Sequence, residues 1–182
     1  MLSTLIVFPI RLFRFLFFIY VVLFVLSIPS DAQIPAIVDN VNNNDKYLYG
    51  KANITDGDSL KIFNRKVRLF GIDAPEIKQK CTNYMGTLYN CGKVAKNALI
   101  NKIAAEKVYC HYKDLDRYRR ALSICWVKNI NLNLWLVHNG YAVAYRRYSN
   151  KFIKAEMRAR NKKIGIWAGS FEIPEVWRRK KR

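Results

Sequence analysis

The sequence is poor in glycine, proline and acidic residues. Its 182 residues include only 8 Gly and 5 Pro, which excludes a collagen-like or low-complexity chain. Apolar residues make up 51% and aromatic residues 14%, a composition far too hydrophobic for a disordered basic tail. There are 13 Asp and Glu against 32 Lys and Arg, so the net charge is +19. A field this positive predicts a polyanionic partner, either nucleic acid or an anionic membrane surface.

The apolar run from Phe15 to Leu26 is too short to span a bilayer, which takes about 20 apolar residues. Arg11 and Arg14 precede the run, and the small residues Ser30 and Ala32 follow it. A basic start, a short apolar centre and a small-x-Ala end are typical of a secretory signal peptide over residues 1–32. We therefore expect cleavage after Ala32 and export to the periplasm or the medium. The alternative is a membrane-anchored protein that keeps this segment.

The four cysteines include no C-x-x-C pair, which argues against a structural zinc site. All four lie after residue 32, and an even number of cysteines in an exported chain predicts disulfides. Three pairings are possible. Local geometry favours Cys81 with Cys91 and Cys110 with Cys125, the second pair across a predicted hairpin. Four free thiols would be the expectation for a cytosolic protein.

Five short strand-like segments follow a polar, Asn-rich lead-in over residues 33–46, which we expect to be flexible. They lie at 47–54, 60–63, 67–70, 108–112 and 121–127. Apolar spacing predicts helices over 92–105 and 132–137, and a third from an Asn150 cap to Lys163. This order favours a mainly β, α+β fold with an OB-like barrel, although a two-layer α+β sheet would give a similar pattern. Residues 169–182 form a basic C-terminal tail, and the five consecutive cations at 178–182 are predicted to be disordered.

Four acids are clustered between residues 56 and 76, namely Asp56, Asp58, Asp73 and Glu76. Carboxylates repel phosphate, so their presence in a basic chain is explained if a divalent cation lies between them and a nucleic acid. They are hard oxygen ligands suited to Ca²⁺ or Mg²⁺. Each acid alone would be an ordinary turn or strand-end residue, and the EF-hand pattern is not met. The residues alone therefore predict a possible metal site in a basic protein.

Five motifs, which span about residues 47–167, closely resemble the staphylococcal nuclease family and occur in its order. Four of them are continuous: ITDGDSL at 54–60, RLFGIDAPE at 68–76, DRYRRAL at 116–122 and GIW at 165–167. The other is discontinuous and consists of NLN at 131–133, LV at 136–137 and Gly140. The resemblance implies a five-stranded OB-fold barrel with three helices over residues 47–168. It also implies a Ca²⁺-dependent phosphodiesterase site, with Mg²⁺ or Mn²⁺ as alternative ions.

The resemblance assigns the metal ligands by motif. Asp58 and Asp73 would be the carboxylate ligands, and the backbone carbonyl of Ala74 would be another. Asp56 would lie in or near the next layer of groups around the ion. Glu76 would act as general base on a water molecule.

The arginines of the motifs would bind the phosphate. Arg68 and Arg120 would contact the scissile phosphate and its transition state, because a guanidinium fork matches the equatorial oxygens. Arg119 stands where the family usually has Gly, and a positive φ there costs a non-Gly residue about 1–2 kcal/mol. The loop could therefore differ, with Arg119 sharing or taking the role of Arg120.

Interleaved basic and aromatic residues predict further nucleic-acid contacts, because bases stack on tyrosine while cations follow the backbone. These residues are Arg117, Tyr118, Arg119, Tyr145 and Tyr148. Tyr145 could equally help to fill the core. The sequence thus predicts a monomeric nuclease for single- or double-stranded DNA and RNA with little sequence preference and no stable protein partner. The alternative is a non-catalytic OB-fold nucleic-acid-binding protein.

Overall fold

The structure, a computed structural model, describes residues 45–181. The predicted signal peptide (1–32) lies outside these residues, as do residues 33–44 of the expected flexible lead-in. Of that lead-in, Lys46 already belongs to the first strand, and Asp45 pairs with His111 and Lys113. In the stretch 45–181, no helix has the length and apolar character needed to cross a membrane.

Ten strands and four helices follow one another along the described chain. The strands are β1 Lys46–Asp56, β2 Ser59–Ile62, β3 Arg65–Leu69, β4 Ile72–Asp73, β5 Cys81–Thr82, β6 Leu88–Tyr89, β7 Lys107–Leu115, β8 Ala121–Val127, β9 Ile130–Asn131 and β10 Val143–Ala144. The helices are α1 Cys91–Ile103, α2 Leu132–His138, α3 Ile153–Asn161 and α4 Pro174–Lys180, with a short 3₁₀ helix at Gly165–Ala168.

Five of the strands close a barrel in the order β3-β2-β1-β7-β8. Neighbouring strands are antiparallel, and β3 pairs in parallel with β8 to close the sheet. Alternate residues face the core, as in β8, where Ala121, Ser123, Cys125 and Val127 are buried. The predicted five-stranded OB-fold barrel is confirmed.

The first two helices lie close to their predicted places because asparagine side chains cap them. Asn90 accepts a hydrogen bond from Lys93 N at 3.0 Å, and Asn131 accepts one from Leu134 N at 2.9 Å. Helix α3 differs from the expectation, since it begins at Ile153 and Asn150 does not cap it. The reason is the Phe152 ring, which is buried in the core against Gly71 and so fixes where the chain turns into the helix.

Both predicted disulfides are present. Cys110 and Cys125 face each other in the β7–β8 register, with their Cα atoms 4.1 Å apart. Cys81 of β5 is linked to Cys91 at the start of α1. On the chain-entropy estimate, each closure stabilises the fold by about 3 kcal/mol. The link between Cys81 and Cys91 also ties β5 to the start of α1, and so restrains the segment between β4 and β5 that carries Glu76.

The fourth helix was not expected, because residues 169–182 were assigned to a basic tail and its last five residues were predicted to be disordered. Pro174 at the first turn and Glu175 just after it favour a helix start, and the basic residues of the last turn complement the helix dipole. Carboxylates offset the repulsion among these cations, since Arg178 pairs with Asp73 and Arg179 with Glu175.

Candidate active site

Two buried carboxylates meet at one end of the barrel. Asp58 lies in the turn between β1 and β2 and is 2% exposed, while Asp73 ends β4 and is fully buried. The backbone joins their segments, because Leu69 N donates to the Asp58 carbonyl at 2.9 Å. Ala74 N also donates to Asp58 Oδ2 at 2.8 Å. The chain therefore holds these two acids side by side with little freedom.

The Arg68 guanidinium bridges the two acids. Its Nη1 forms an ion pair with Asp58 Oδ1, and its Nη2 lies 2.8 Å from Asp73 Oδ1. The side chain is only 14% exposed, and burial lowers the pKa of Arg68 while the charge of Asp73 opposes that shift. Arginine stays protonated in proteins, so a cation sits between the two carboxylates. Because one guanidinium reaches both, the acids converge on a single point.

Glu76 stands at the edge of the same site, half-exposed to the cleft. Its backbone N donates to Gln79 Oε1 at 3.2 Å, and the buried Gln79 amide donates in turn to the Glu172 carbonyl at 2.6 Å. Helix α1 packs directly against this turn, since a Cβ at Gly92 would lie 1.8 Å from the Glu76 carbonyl oxygen. The Glu76 backbone is therefore held, while its carboxylate faces the cleft.

Asp56 lies beside the pair without a side-chain hydrogen bond to either acid. Its Oδ1 accepts from the neighbouring Gly57 N at 2.7 Å. Burial raises the pKa of Asp56, and the negative charge of Glu76 adds to the effect. The structure thus places Asp56 close enough to Glu76 for the two carboxylates to repel each other.

Asp116 orients Arg120 into the cleft. Asp116 Oδ1 accepts from the backbone N of Tyr118 and of Arg120, each at 2.9 Å, and Oδ2 accepts from Arg120 Nε at 2.7 Å. Burial by itself would raise the pKa of Asp116. The hydrogen bonds from Arg120 outweigh this effect and hold the pKa of Asp116 below its usual value. Arg119 adopts φ +60°, the left-handed conformation of a glycine position, and its exposed side chain is not among the residues that line the cleft.

The cleft above these residues has a volume of about 660 Å³. Arg68, Glu76 and Arg120 line it together with the predicted nucleic-acid contacts Arg117, Tyr118, Tyr145 and Tyr148. Tyr118 and Tyr148 are largely exposed, and Tyr145 packs edge-on against Tyr148 with ring centroids 4.8 Å apart. Of the predicted contacts, Arg119 alone lies outside.

Sequence reasoning missed a third arginine at the acids. Arg178 of α4 contacts Asp73 through both of its terminal nitrogens and also reaches Glu76. In the sequence this residue belongs to a run of five cations, and such a run gives no signal that distinguishes one member from the others.

The oxygen donors fit a hard divalent cation. Asp58 and Asp73 converge within the reach of one guanidinium, and the Ala74 backbone lies directly beside them. No group of three His, Cys, Asp or Glu side chains with metal-site spacing occurs in residues 45–181. A cation held between Asp58 and Asp73 would complete its shell with other oxygen donors such as water, which suits Ca²⁺ and Mg²⁺ because both accept mixed oxygen shells.

Fold and site together define an OB-fold protein with two buried carboxylates beside a cleft that Arg68, Arg120 and Arg178 line. A family model described as staphylococcal nuclease homologue matches residues 66–169. An endonuclease of Haemophilus influenzae is 34% identical over 71% of this chain and 71% of its own length. The chain belongs to the staphylococcal nuclease family.

Two further relatives are matched over a smaller share of their own length. The succinoglycan biosynthesis protein ExoI of Rhizobium meliloti is 34% identical over 66% of this chain, which spans 64% of that protein. The probable staphylococcal-like nuclease CAN2 of Oryza sativa is 31% identical over 64% of this chain, but the match spans only 30% of the rice protein. The family and the nuclease names of the Haemophilus influenzae and rice relatives support a nuclease.

Proposed function

We propose that this protein is a metal-dependent nuclease that hydrolyses phosphodiester bonds of DNA and RNA with little sequence preference. The observation that carries the proposal is the buried pair Asp58 and Asp73, which Arg68 joins to the cleft that it lines with Glu76 and Arg120. Guanidinium contacts to phosphate give affinity without identifying a base, which supports low sequence preference.

The acids have two different roles, one in binding the metal ion and one in accepting a proton from water. A divalent cation, proposed to be Ca²⁺, would be held by Asp58, Asp73 and the Ala74 carbonyl and would supply Lewis acidity at the scissile phosphate. Glu76 is not buried like the other two, so its carboxylate can accept a proton from a water molecule in the cleft. Its fixed backbone keeps that carboxylate within the site.

Arg68 and Arg120 would contact the phosphate. Arg120 presents its guanidinium to the cleft in an orientation fixed by Asp116, so little reorganisation is needed as charge builds on the equatorial oxygens. Arg68 lines the cleft and pairs with both acids, so its charge offsets part of the carboxylate charge that would repel an approaching phosphate. Tyr118, Tyr145 and Tyr148 offer ring faces or edges on which bases can stack.

The proposal is tested by digestion of single-stranded DNA, double-stranded DNA and RNA of equal length. Each substrate is incubated with Ca²⁺, Mg²⁺, Mn²⁺ or a chelator. We expect all three to be cut with a divalent ion and cleavage to fall to background with chelator. Binding of the oligonucleotides without cleavage under every ion would instead favour the non-catalytic binding protein, and cleavage that survives the chelator would contradict metal dependence.

We also propose that the chain from Gln33 onward is exported, after cleavage of the bond that follows Ala32. The two buried disulfides support this proposal, because such bonds form and persist in oxidising compartments. N-terminal sequencing of the protein from the periplasm or medium is expected to begin at Gln33. Recovery of the chain in the membrane fraction with Met1 retained would contradict it.

A further inference from the structure

Helix α4 lies beyond residue 169, where the match to the family model ends. The segment before it is attached to the domain by the hydrogen bond from Gln79 to the Glu172 carbonyl, at 2.6 Å, and by that from Thr82 N to the Ser170 carbonyl, at 2.9 Å. Arg147 pairs with Glu175 at 3.3 Å. These contacts place the last turn of α4 over the buried acids.

Arg178 makes a two-pronged contact with Asp73. Its Nη1 lies 2.8 Å from Oδ1 and its Nη2 lies 2.9 Å from Oδ2, while Nη1 is also 2.7 Å from Glu76 Oε1. Hydrogen bonds of this kind between a guanidinium and a carboxylate are the strong, charge-assisted ones. Burial opposes the charge of Arg178, yet the bonds to Asp73 and Glu76 raise its pKa.

The same oxygens are those a metal ion would need. Within the described chain, Asp73 Oδ2 accepts from Arg178 alone, and Oδ1 accepts from both Arg68 and Arg178. A divalent cation at Asp73 and a guanidinium fork on both of its oxygens carry charges of the same sign and draw on the same two oxygens. Arg68 also contacts Oδ1, but only Arg178 covers both oxygens, so Arg178 is the cation that opposes a metal ion at Asp73 most directly.

We propose that Arg178 is an internal cation that competes with the divalent metal ion for Asp73, so that α4 holds the site in a metal-free state until the ion displaces it. This inference rests on the proposed metal-dependent function. It gives the C-terminal helix an autoinhibitory role, since metal binding must first break the contacts of Arg178 with Asp73 and Glu76.

The test is Ca²⁺ titration by isothermal calorimetry on the full-length, oxidised protein without nucleic acid. Arg178→Gln is expected to lower the Kd for Ca²⁺ about tenfold or more, because the ion no longer displaces a charge-assisted pair. Arg178→Lys keeps the charge but loses the fork, so its Kd is expected to lie between those of wild type and Arg178→Gln. Lys180→Gln removes one charge from the same helix, but this side chain pairs with Glu172 and not with Asp73. It is expected to change the Kd for Ca²⁺ less than twofold.

The outcomes separate the two proposals. If wild type binds Ca²⁺, Asp58→Asn abolishes that binding, and Arg178→Gln leaves Kd unchanged or weakens it, the competition is overturned while the metal site stands. If neither wild type nor Arg178→Gln binds Ca²⁺, both proposals fail. Thermal melting of each variant checks that it is folded, and Arg178→Lys provides a second comparison should Arg178→Gln be unstable.

Discussion

Replacing Glu76 by Gln is expected to lower kcat by about 10²- to 10⁴-fold, the usual contribution of a general base. Gln is close to Glu in shape but cannot accept a proton from water. Nucleic-acid affinity should change little, because the phosphate is bound by arginines and Glu76 contributes no attraction to it. Single-turnover cleavage at saturating Ca²⁺, with binding measured separately by fluorescence anisotropy, checks both parts of the result.

Glu172→Gln provides the matched control for this experiment. It removes a carboxylate from the same region of the protein, but the side chain of Glu172 is not among those that line the cleft. Its kcat is expected to stay within about twofold of wild type. A Glu76→Gln protein with wild-type kcat would remove Glu76 from the mechanism.

Replacing Arg120 by Lys is expected to lower kcat by about 10²- to 10³-fold, although the charge is kept. The reason is geometric: a guanidinium can donate two parallel hydrogen bonds to a phosphate, whereas an ammonium is a point charge. The loss of one preorganised donor at a developing charge has an effect of this size. The substitution also removes the Nε donor through which Asp116 orients the side chain.

Arg119→Lys makes the same chemical change one residue away. Because the Arg119 side chain lies outside the cleft, kcat is expected to change less than about threefold. The two variants compared at equal Ca²⁺ decide which arginine serves the phosphate. A large loss for Arg119→Lys with a small one for Arg120→Lys would exchange the two roles.

The barrel and the acidic pair could be predicted because local patterns specify them. Alternating apolar residues fixed the faces of β2, β3 and β8, and the turn at Asp56 and the strand end at Asp73 were already visible in the sequence. The disulfide between Cys110 and Cys125 follows from the β7–β8 hairpin, in which the two residues are direct partners.

The C-terminal helix could not be predicted because its stability depends on partners far away in the sequence. Arg178 is separated from Asp73 by 105 residues and from Glu76 by 102. Local charge alone favours disorder there, since the cations repel one another. The start of α3 was missed for a related reason: burial of Phe152 against Gly71 outweighed the capping preference of Asn150.

The central claim is that a divalent ion binds between Asp58 and Asp73 beside the scissile phosphate. Its most direct test is a crystal structure of the Glu76→Gln variant with Ca²⁺ and a short single-stranded DNA. Because this variant should cleave DNA very slowly, the DNA should stay intact in the crystal. We expect the anomalous signal of one calcium ion between Asp58 and Asp73, with a phosphate contacted by Arg68 and Arg120. A calcium ion bound elsewhere, with Asp58 and Asp73 still joined only by arginine and the DNA outside the cleft, would contradict the account.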